Sequence, residues 1–309
     1  MKISIVIPVY NASKYLKRCL ESILESLGDI DGEILAVNNN STDKSVEILE
    51  QFEKAHSQVK VLSCKTVGAA AARNYGAKYA TGEYIWFIDA DDSIAKDAIS
   101  RLIDEADKNG ADIVMMGAKR VHANGREDYM SAVDPSDKNY KSRFIRYGMG
   151  PWQVMLRRNW WNAHFAFKEG IIHEDMELMS ALILHTDKYA AVDEPLYLYY
   201  QNDNSVLHQK KWNDHCFDIY PALEGLYKHF KLAHAEKKYH DELEWFFIWN
   251  LLIDSARDFA AFPEGKPGFR RTREMLKEYF PQWRKNPFLK EKSLKKRLRI
   301  RLAYRGIVK

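Results

Sequence analysis

The sequence predicts an α/β protein with a mostly parallel sheet, helices on both faces of that sheet, and a helical extension at the C-terminal end. Three observations support this prediction. Short apolar strands alternate with helix-length segments from residue 3 to about residue 117, which is typical of parallel sheets. Polar clusters follow directly after several of these strands. The last third of the chain shows helical patterns only.

The predicted strands of the first half are short runs of β-branched and other apolar residues, as expected for strands that are buried on both faces. They occupy residues 3–9, 33–37, 59–63, 84–88 and 112–117. Between them, apolar residues recur at helical spacing over residues 15–27, 46–52, 67–80 and 99–106. Asn124-Gly125 is typical of a hairpin turn after residue 121.

The C-terminal third is predicted to contain helices over residues 217–230, 241–259, 270–280 and 289–304. In the last of these, Leu294, Leu298 and Leu302 recur every four residues among Lys and Arg. This pattern predicts a basic amphipathic tail, residues 289–309, that lies on an anionic membrane. The alternative is a solvated helix that docks through its leucines.

Charge is distributed unevenly along the 309 residues, although the net charge is only +4. Residues 284–309 contain eleven Lys or Arg and one acid, a net charge of +10, so the preceding 283 residues carry −6. A basic tail on an acidic body indicates an anionic partner surface. We expect a membrane rather than nucleic acid, because no recognised nucleic-acid-binding pattern accompanies the basic run.

Several cellular classes are disfavoured by the sequence. No apolar run reaches the roughly 18 to 20 residues that span a bilayer, and the apolar start is too short, and broken by Pro8, for a signal peptide. Cys19, Cys64 and Cys216 are scattered and odd in number, which argues against a disulfide framework or a zinc site. We therefore expect a cytoplasmic protein, peripheral at the inner face of the cell membrane.

Polar residues cluster where three of the predicted strands end. These clusters are Tyr10-Asn11, residues 38–40 and residues 89–92. The carboxyl ends of parallel strands meet at one edge of a sheet, which is where such sheets bind ligands. The chain has no GxGxxG and no GxxxxGK[ST], so ordinary dinucleotide and P-loop sites are disfavoured.

The cluster Asp89-Ala90-Asp91-Asp92 predicts a divalent metal site. Residues two apart on an extended strand point the same way, so Asp89 and Asp91 can share one target. Carboxylate oxygens suit Mn²⁺ or Mg²⁺, and a metal held by one or two carboxylates keeps positions open for phosphates. The alternative is that these acids only cap the next helix.

These motifs resemble those of a known family, the inverting family-two glycosyltransferases, which have the GT-A fold. The resemblance is to the non-processive members of the bacterial polysaccharide type. The opening strand, residues 4–11, looks like theirs. Residues 68–92, with Ala72-Arg73-Asn74 and the acid cluster, match their central signature, and Glu174-Asp175 resembles their catalytic acid pair. The resemblance covers residues 2–205.

The resemblance implies a metal-dependent transfer of a hexosyl group from a nucleotide diphosphate sugar to a hydroxyl of a glycan or lipid-linked acceptor. It implies Asp175 as general base with Glu174 beside it, and Asp91 as ligand of Mn²⁺ or Mg²⁺. Arg73 would hold the acid cluster or the diphosphate, or form a structural ion pair. The donor would be bound by Pro8, Tyr10, Asn11, Asn39, Arg73 and Asp89.

Two departures from the family pattern weaken the prediction of UDP as the nucleotide and of a diphosphate clamp. Asn38, Asn39 and Asn40 stand where the family usually has two acids, although Asn39 can still accept a hydrogen bond from uracil. After Tyr200 the chain lacks the Arg residues of relatives, so His208 or a nearby lysine is expected to contact the diphosphate.

The domain organisation follows from these assignments. Residues 1–208 are predicted to form the GT-A domain, with a nucleotide half over about 1–117 and an acceptor half over about 118–208; residues 209–309 are the helical region. Trp152, after Gly150-Pro151, is expected to stack on an acceptor sugar, although a core position is the alternative. The competing function is an inactive module that only binds a nucleotide or a glycan.

Overall fold

A computed structural model describes residues 1–201 and 212–308. The described residues divide into two compact units. The first comprises residues 1–140, 149–175 and 186–201, and the second comprises residues 141–148, 176–185 and 212–308. Two short segments of the predicted GT-A domain therefore group with the C-terminal helices. The predicted boundary at residue 208 lies outside the described residues.

The described part of the first unit contains one nine-stranded sheet in the order β3-β2-β1-β4-β8-β6-β9-β5, with β7 paired to β6. Pairing is parallel from β3 to β4 and between β6 and β9, and antiparallel at the remaining pairs. The strands are β1 (Ile3–Val9), β2 (Gly32–Asn38), β3 (Val59–Ser63), β4 (Tyr84–Phe87), β5 (Ser93–Ile94), β6 (Ile113–Val121), β7 (Glu127–Met130), β8 (Val154–Arg157) and β9 (Tyr189–Tyr200).

Helices cover both faces of the parallel half of the sheet. These are α1 (Leu16–Leu27), α2 (Ser45–Ala55), α3 (Ala69–Tyr79) and α4 (Ala98–Asn109), and α6 (Arg158–His164) follows β8. Side chains of α1 and α4 share one core with Ile3, Ile5 and Ile7 of β1. On the opposite face α3 approaches so closely that a Cβ at Gly76 would lie 2.4 Å from Val6 Cγ1. The α/β class predicted from the sequence is confirmed.

Helices form the second unit, together with short 3₁₀ turns. They are α8 (Ile219–Leu232), α9 (His240–Trp249), α10 (Ser255–Ala261), α11 (Lys266–Tyr279), α12 (Pro287–Lys290) and α13 (Leu294–Tyr304); α5 (Tyr140–Tyr147) and α7 (Glu174–Leu178) contain residues of both units. Aromatic rings fill the interior: Tyr220 stacks on Phe259 with ring centroids 6.1 Å apart, and Phe247 meets Phe280 edge-on at 4.9 Å.

Two predicted helices are interrupted in the structure. The helix expected over residues 241–259 contains a π-helical segment, Asn250–Asp254, between α9 and α10. The helix expected over residues 289–304 breaks before Ser293, whose hydroxyl accepts a hydrogen bond from the backbone N–H of Lys296 and so begins α13 anew. None of the helices in the described ranges combines the length and apolar character that crossing a bilayer requires.

Candidate active site

The acid cluster forms the turn between β4 and β5, in the middle of the sheet. All four residues of β4 are buried, so the chain leaves the core at the carboxyl edge, and residues 89–92 follow there directly. Asp89 and Asp91 are partly exposed, whereas Asp92 is fully buried. The turn therefore presents two of its three carboxylates to the edge where the sequence predicts a ligand.

Asp92 anchors this turn to β9. Its carboxylate accepts hydrogen bonds from the Tyr197 hydroxyl at 2.7 Å and from the backbone N–H of Tyr200 at 2.8 Å. Burial, together with the charges of Asp91 and Asp89, raises the pKa of Asp92 well above its usual range. The Tyr197 hydroxyl also accepts a hydrogen bond from the backbone N–H of Asp89 at 3.2 Å. Asp92 thus fixes the turn rather than capping a helix.

Arg73 joins the turn to the second acidic pair. From α3, its Nη2 donates to Asp89 Oδ1 at 2.8 Å and its Nη1 donates to Glu174 Oε1. Burial alone would lower the pKa of Arg73, but the charges of Asp89, Glu174 and Asp175 outweigh burial and raise it. The guanidinium is therefore a permanent cation between two carboxylates that lie 85 positions apart in the sequence. This geometry fits both the interpretation of Arg73 as the holder of the acid cluster and the alternative of a structural ion pair.

Glu174 and Asp175 begin α7 and have different surroundings. Glu174 is buried, which raises its pKa; the charge of Arg73 opposes this rise and that of Asp175 adds to it. Asp175 is half-buried and acts electrostatically on both Glu174 and Arg73. The charges of Glu174, Asp175 and Asp89 therefore all act on Arg73, and Glu174 is the residue of the adjacent pair that forms an ion pair with it.

The loops after β1 and β2 are tied together beside this turn. Asn11 adopts a left-handed conformation with φ of 49°, which Asn tolerates better than most residues. Its Oδ1 accepts from the backbone N–H of Thr42 at 2.8 Å, and its own N–H donates to the Ser41 hydroxyl at 3.2 Å. Tyr10 is exposed and Pro8 is half-buried at the end of β1. The structure thus places these three predicted donor residues at the same strand edge.

Asn39 is buried and bonded to neighbouring backbone. Its amide nitrogen donates to the carbonyls of Cys64 at 3.1 Å and Thr66 at 2.7 Å, and its Oδ1 accepts from the N–H of Gly68 at 2.8 Å. These bonds connect the loop after β2 to the start of α3. An amide oxygen has two acceptor positions, and the bond from Gly68 uses one of them. Contact between Asn39 and a nucleotide base therefore stays a prediction.

The ring of Trp152 is not exposed, as stacking on an acceptor sugar would require. It is 8% exposed, and its ring stacks on those of Tyr197 and Tyr199, with centroids 4.4 and 5.5 Å apart. Its backbone carbonyl accepts from the indole N–H of Trp86 at 2.8 Å. The core position that the sequence left as the alternative fits this burial, because partner rings from β9 occupy the surface that a sugar would need.

One cation near the turn was missed by the sequence analysis. Arg18 of α1 donates from Nη2 to the backbone carbonyl of Asp91, and its guanidinium lies over the Tyr200 ring at 3.6 Å. The sequence signal was weak, because an Arg on an amphipathic helix normally faces solvent. The predicted diphosphate contact, His208, lies outside the described residues.

The donor set of the turn fits a divalent metal ion. Asp91 and Asp89 offer carboxylate oxygens at a partly exposed strand end, and hard cations such as Mg²⁺ are commonly held by one or two carboxylates together with substrate phosphates. Asp92 does not belong to this set, since both of its oxygens accept hydrogen bonds from β9.

The fold is that of a glycosyltransferase with the GT-A fold. The model of the family described as "Glycosyl transferase family 2" matches residues 4–169, more than half of the chain, and the chain belongs to this family. The resemblance stated from the motifs is thereby confirmed.

Individual relatives agree with this assignment. The chain is 30% identical over 255 residues to the uncharacterized glycosyltransferase EpsJ of Bacillus subtilis, covering 76% of this chain and 72% of that protein. It is 37% identical over 155 residues to a poly(ribitol-phosphate) beta-glucosyltransferase of Bacillus spizizenii, but this match covers 49% of the chain and only 24% of the relative.

A solved structure shares the fold over nearly the whole chain. The crystal structure of S. aureus TarS 1-349 in complex with UDP-GlcNAc superposes with a TM-score of 0.78 at 20% identity, covering 99% of this chain and 88% of that one. At this level of identity the likeness supports the fold alone.

Proposed function

We propose that the protein transfers a hexosyl group from a nucleotide diphosphate sugar, with UDP favoured, to a hydroxyl of a glycan or lipid-linked acceptor, with inversion at the anomeric carbon. The observation that carries this proposal is the Arg73 bridge. It brings the strand-end acids and the Glu174-Asp175 pair into one site. TarS, which has the same fold, was solved with UDP-GlcNAc bound, and we extend a UDP-sugar to this chain as the proposed donor.

Donor binding is assigned to the strand edge. Pro8, Tyr10 and Asn11 would line the nucleoside position, with Asn39 beside the base and Asp89 towards the ribose. Asp91, with Asp89, would hold Mn²⁺ or Mg²⁺, which when bound supplies positive charge against the diphosphate leaving group. With the ion bound, the developing negative charge would lie next to positive charge.

Proton transfer is assigned to Asp175 because Glu174 already bonds to Arg73. The attacking hydroxyl oxygen forms a bond to the anomeric carbon as the bond from that carbon to the diphosphate oxygen breaks. The hydroxyl proton passes to the Asp175 carboxylate, and the nucleoside diphosphate leaves. One displacement inverts the anomeric centre and needs no covalent sugar intermediate.

A nucleotide-sugar screen tests this proposal. Release of nucleoside diphosphate from UDP-, GDP- and dTDP-sugars is measured with Mn²⁺ and after chelation, for the wild type, Asp91→Asn and the control Asp97→Asn. Asp97 is exposed and pairs with Arg101 of α4. We expect release in the wild type and the control, and its near loss in Asp91→Asn and after chelation. Donor binding without any turnover would favour the inactive-module alternative, and full activity after chelation would refute the metal role.

We also infer that α13 lies on an anionic membrane, where a lipid-linked acceptor would reside. Leu294 and Leu298 are 76% and 58% exposed, whereas Ile300 and Ala303 form the buried face of the helix. At 100° per residue, the three leucines of the predicted seam lie within about 80° of one another. Docking through Leu294 and Leu298 does not agree with their exposure, because the helix packs through its other face. A solvated helix stays the alternative.

Basic residues flank this leucine seam on both sides. By the same helical geometry, Lys295 and Arg299 lie on one side of the seam and Arg301 lies on the other. Lys296, on the opposite side, lies over the Trp249 ring at 4.1 Å and fixes the helix to its own unit. An apolar stripe between cations is the pattern of a helix that lies in the interface of an anionic bilayer.

Vesicle sedimentation tests this partner. The double variant Leu294→Ser/Leu298→Ser should lose binding to vesicles that contain phosphatidylglycerol. The control Leu232→Ser, at a leucine that is equally exposed in α8, should retain it. Salt should weaken the wild-type interaction, since the Debye length falls from about 10 Å at 0.1 M to about 3 Å at 1 M. No binding of the wild type at low salt would refute the inference.

A further inference from the structure

Arg18 occupies an unusual position beside the acid turn. It lies near the start of α1, and its Nη2 donates to the backbone carbonyl of Asp91, a residue 73 positions later in the chain. The centre of its guanidinium lies 3.6 Å from the centroid of the Tyr200 ring. Its Nε is buried and makes no hydrogen bond to any residue that the structure describes. The guanidinium is thus fixed by a stack and by one directed bond.

The bond to the carbonyl of Asp91 completes a set of contacts around the turn. On the C-terminal side, Asp92 is held by the Tyr197 hydroxyl and by the N–H of Tyr200. On the N-terminal side, the N–H of Asp89 donates to the same hydroxyl. Asp91 lies between Asp89 and Asp92, and Arg18 bonds to the backbone carbonyl of Asp91 itself. The turn that carries the Asp91 carboxylate is therefore held at the backbone of Asp89, at the backbone of Asp91 and through the side chain of Asp92.

Tyr200 links the two ends of this arrangement. Its ring supports the guanidinium of Arg18, while its backbone N–H bonds to the carboxylate of Asp92. A planar guanidinium can stack on a ring and donate in its own plane at the same time, which an ammonium cannot do. The contact therefore depends on arginine and not only on a positive charge.

Arg73 has a different task in the same site. It is bonded to Asp89 and Glu174 through both of its terminal nitrogens, so it holds side chains, whereas Arg18 holds the peptide group of Asp91. The direction of a ligating carboxylate is set by such surrounding contacts, and their loss typically weakens metal binding by about 10- to 100-fold.

We propose that Arg18 is a positioning residue that fixes the Asp91 carboxylate for the divalent metal, and thereby sets how strongly the metal promotes binding of the donor nucleotide. This inference rests on the proposed function, in which Asp91 is a metal ligand. It predicts a specific defect: metal-promoted nucleotide binding weakens, while nucleotide binding without metal does not change.

The experiment is calorimetric titration of UDP into the full chain at increasing Mn²⁺ and after chelation. Arg18→Ala should raise the Mn²⁺ concentration for half-maximal enhancement of UDP affinity by about 10- to 100-fold and leave the affinity in chelator unchanged. Arg18→Lys should restore this concentration only in part. The control is Lys17→Ala, at the exposed neighbouring position that pairs with Glu21, and it should match the wild type.

Tyr200→Leu is a second variant, which removes the ring under the Arg18 guanidinium but keeps Arg18 to bond to the carbonyl of Asp91. It tests the role of Arg18 if Arg18→Ala folds poorly. It should shift the Mn²⁺ requirement in the same direction by a smaller factor. An unchanged Mn²⁺ requirement in Arg18→Ala would overturn the inference, and so would an equal loss of UDP affinity in chelator. If Mn²⁺ had no effect on UDP binding by the wild type, the metal role of Asp91 would fail and this inference with it.

Discussion

Replacing Arg73 by Met would remove the cation that joins the two acidic pairs. Arg73 and Glu174 are each 6% exposed, so the Glu174 carboxylate would be stranded where burial already raises its pKa. Breaking a buried pair from one side costs about 3–5 kcal/mol, because the remaining charge has lost its partner. The side chain of Asp89 is 28% exposed and water can reach it, so we expect a loss near the lower end, about 3 kcal/mol.

The assay is urea unfolding of the wild type, Arg73→Met, Glu174→Gln and the double variant at several pH values. Adding Glu174→Gln to Arg73→Met should recover part of the loss, because a neutral amide replaces the stranded charge. In Arg73→Met the deficit should be full above the raised pKa of Glu174 and should shrink as pH falls through that pKa. A change below about 1 kcal/mol in Arg73→Met, or a further loss in the double variant, would refute this account.

Two stability predictions concern contacts that other segments make with β1. The buried carboxylate of Glu33 accepts bonds from Lys60 and Ser4; burial alone would raise its pKa, but these bonds help to hold it at about 2. Glu33→Gln should cost about 1–3 kcal/mol at pH 7, and the difference from wild type should close as pH falls from the ordinary value of 4.5 towards 2, measured by urea unfolding. A Cβ at Gly82 would lie 2.5 Å from the backbone of Ile3 and Ser4, so Gly82→Ala should lower the thermal midpoint through overpacking of about 1–3 kcal/mol, and an unchanged midpoint would contradict that contact.

The parallel half of the sheet was readable from the sequence because its strands are continuous apolar runs. The predicted strand over residues 59–63 coincides with β3, and the hairpin at Asn124-Gly125 is confirmed by the antiparallel pairing of β6 with β7. The strand β9 was not predicted, since Asp193, Glu194 and Pro195 interrupt its pattern. Its pairing with β6 also shifts register near Gly117, which local periodicity does not reveal.

The site was only partly readable for a related reason. Clustered carboxylates after an apolar strand are a local signal, so the turn at residues 89–92 could be found from sequence. Partners from distant segments give no such signal: Tyr197 covers Trp152 from 45 positions away, and Arg18 reaches Asp91 across 73 positions. Spacing predicted the tail helix, but only packing shows that Leu294 lies on its exposed face.

Asp175 is proposed to accept the proton of the acceptor hydroxyl, while other residues of the site are proposed to contact the nucleotide. The direct test compares turnover and UDP affinity, measured by transfer kinetics and calorimetry, in the wild type, Asp175→Asn and Glu174→Gln. General base catalysis typically contributes about 10²- to 10⁴-fold, so Asp175→Asn should lose turnover by that factor while its UDP affinity stays within about twofold of wild type. Wild-type turnover in Asp175→Asn, or a loss of UDP affinity in proportion to the loss of rate, would contradict the assignment.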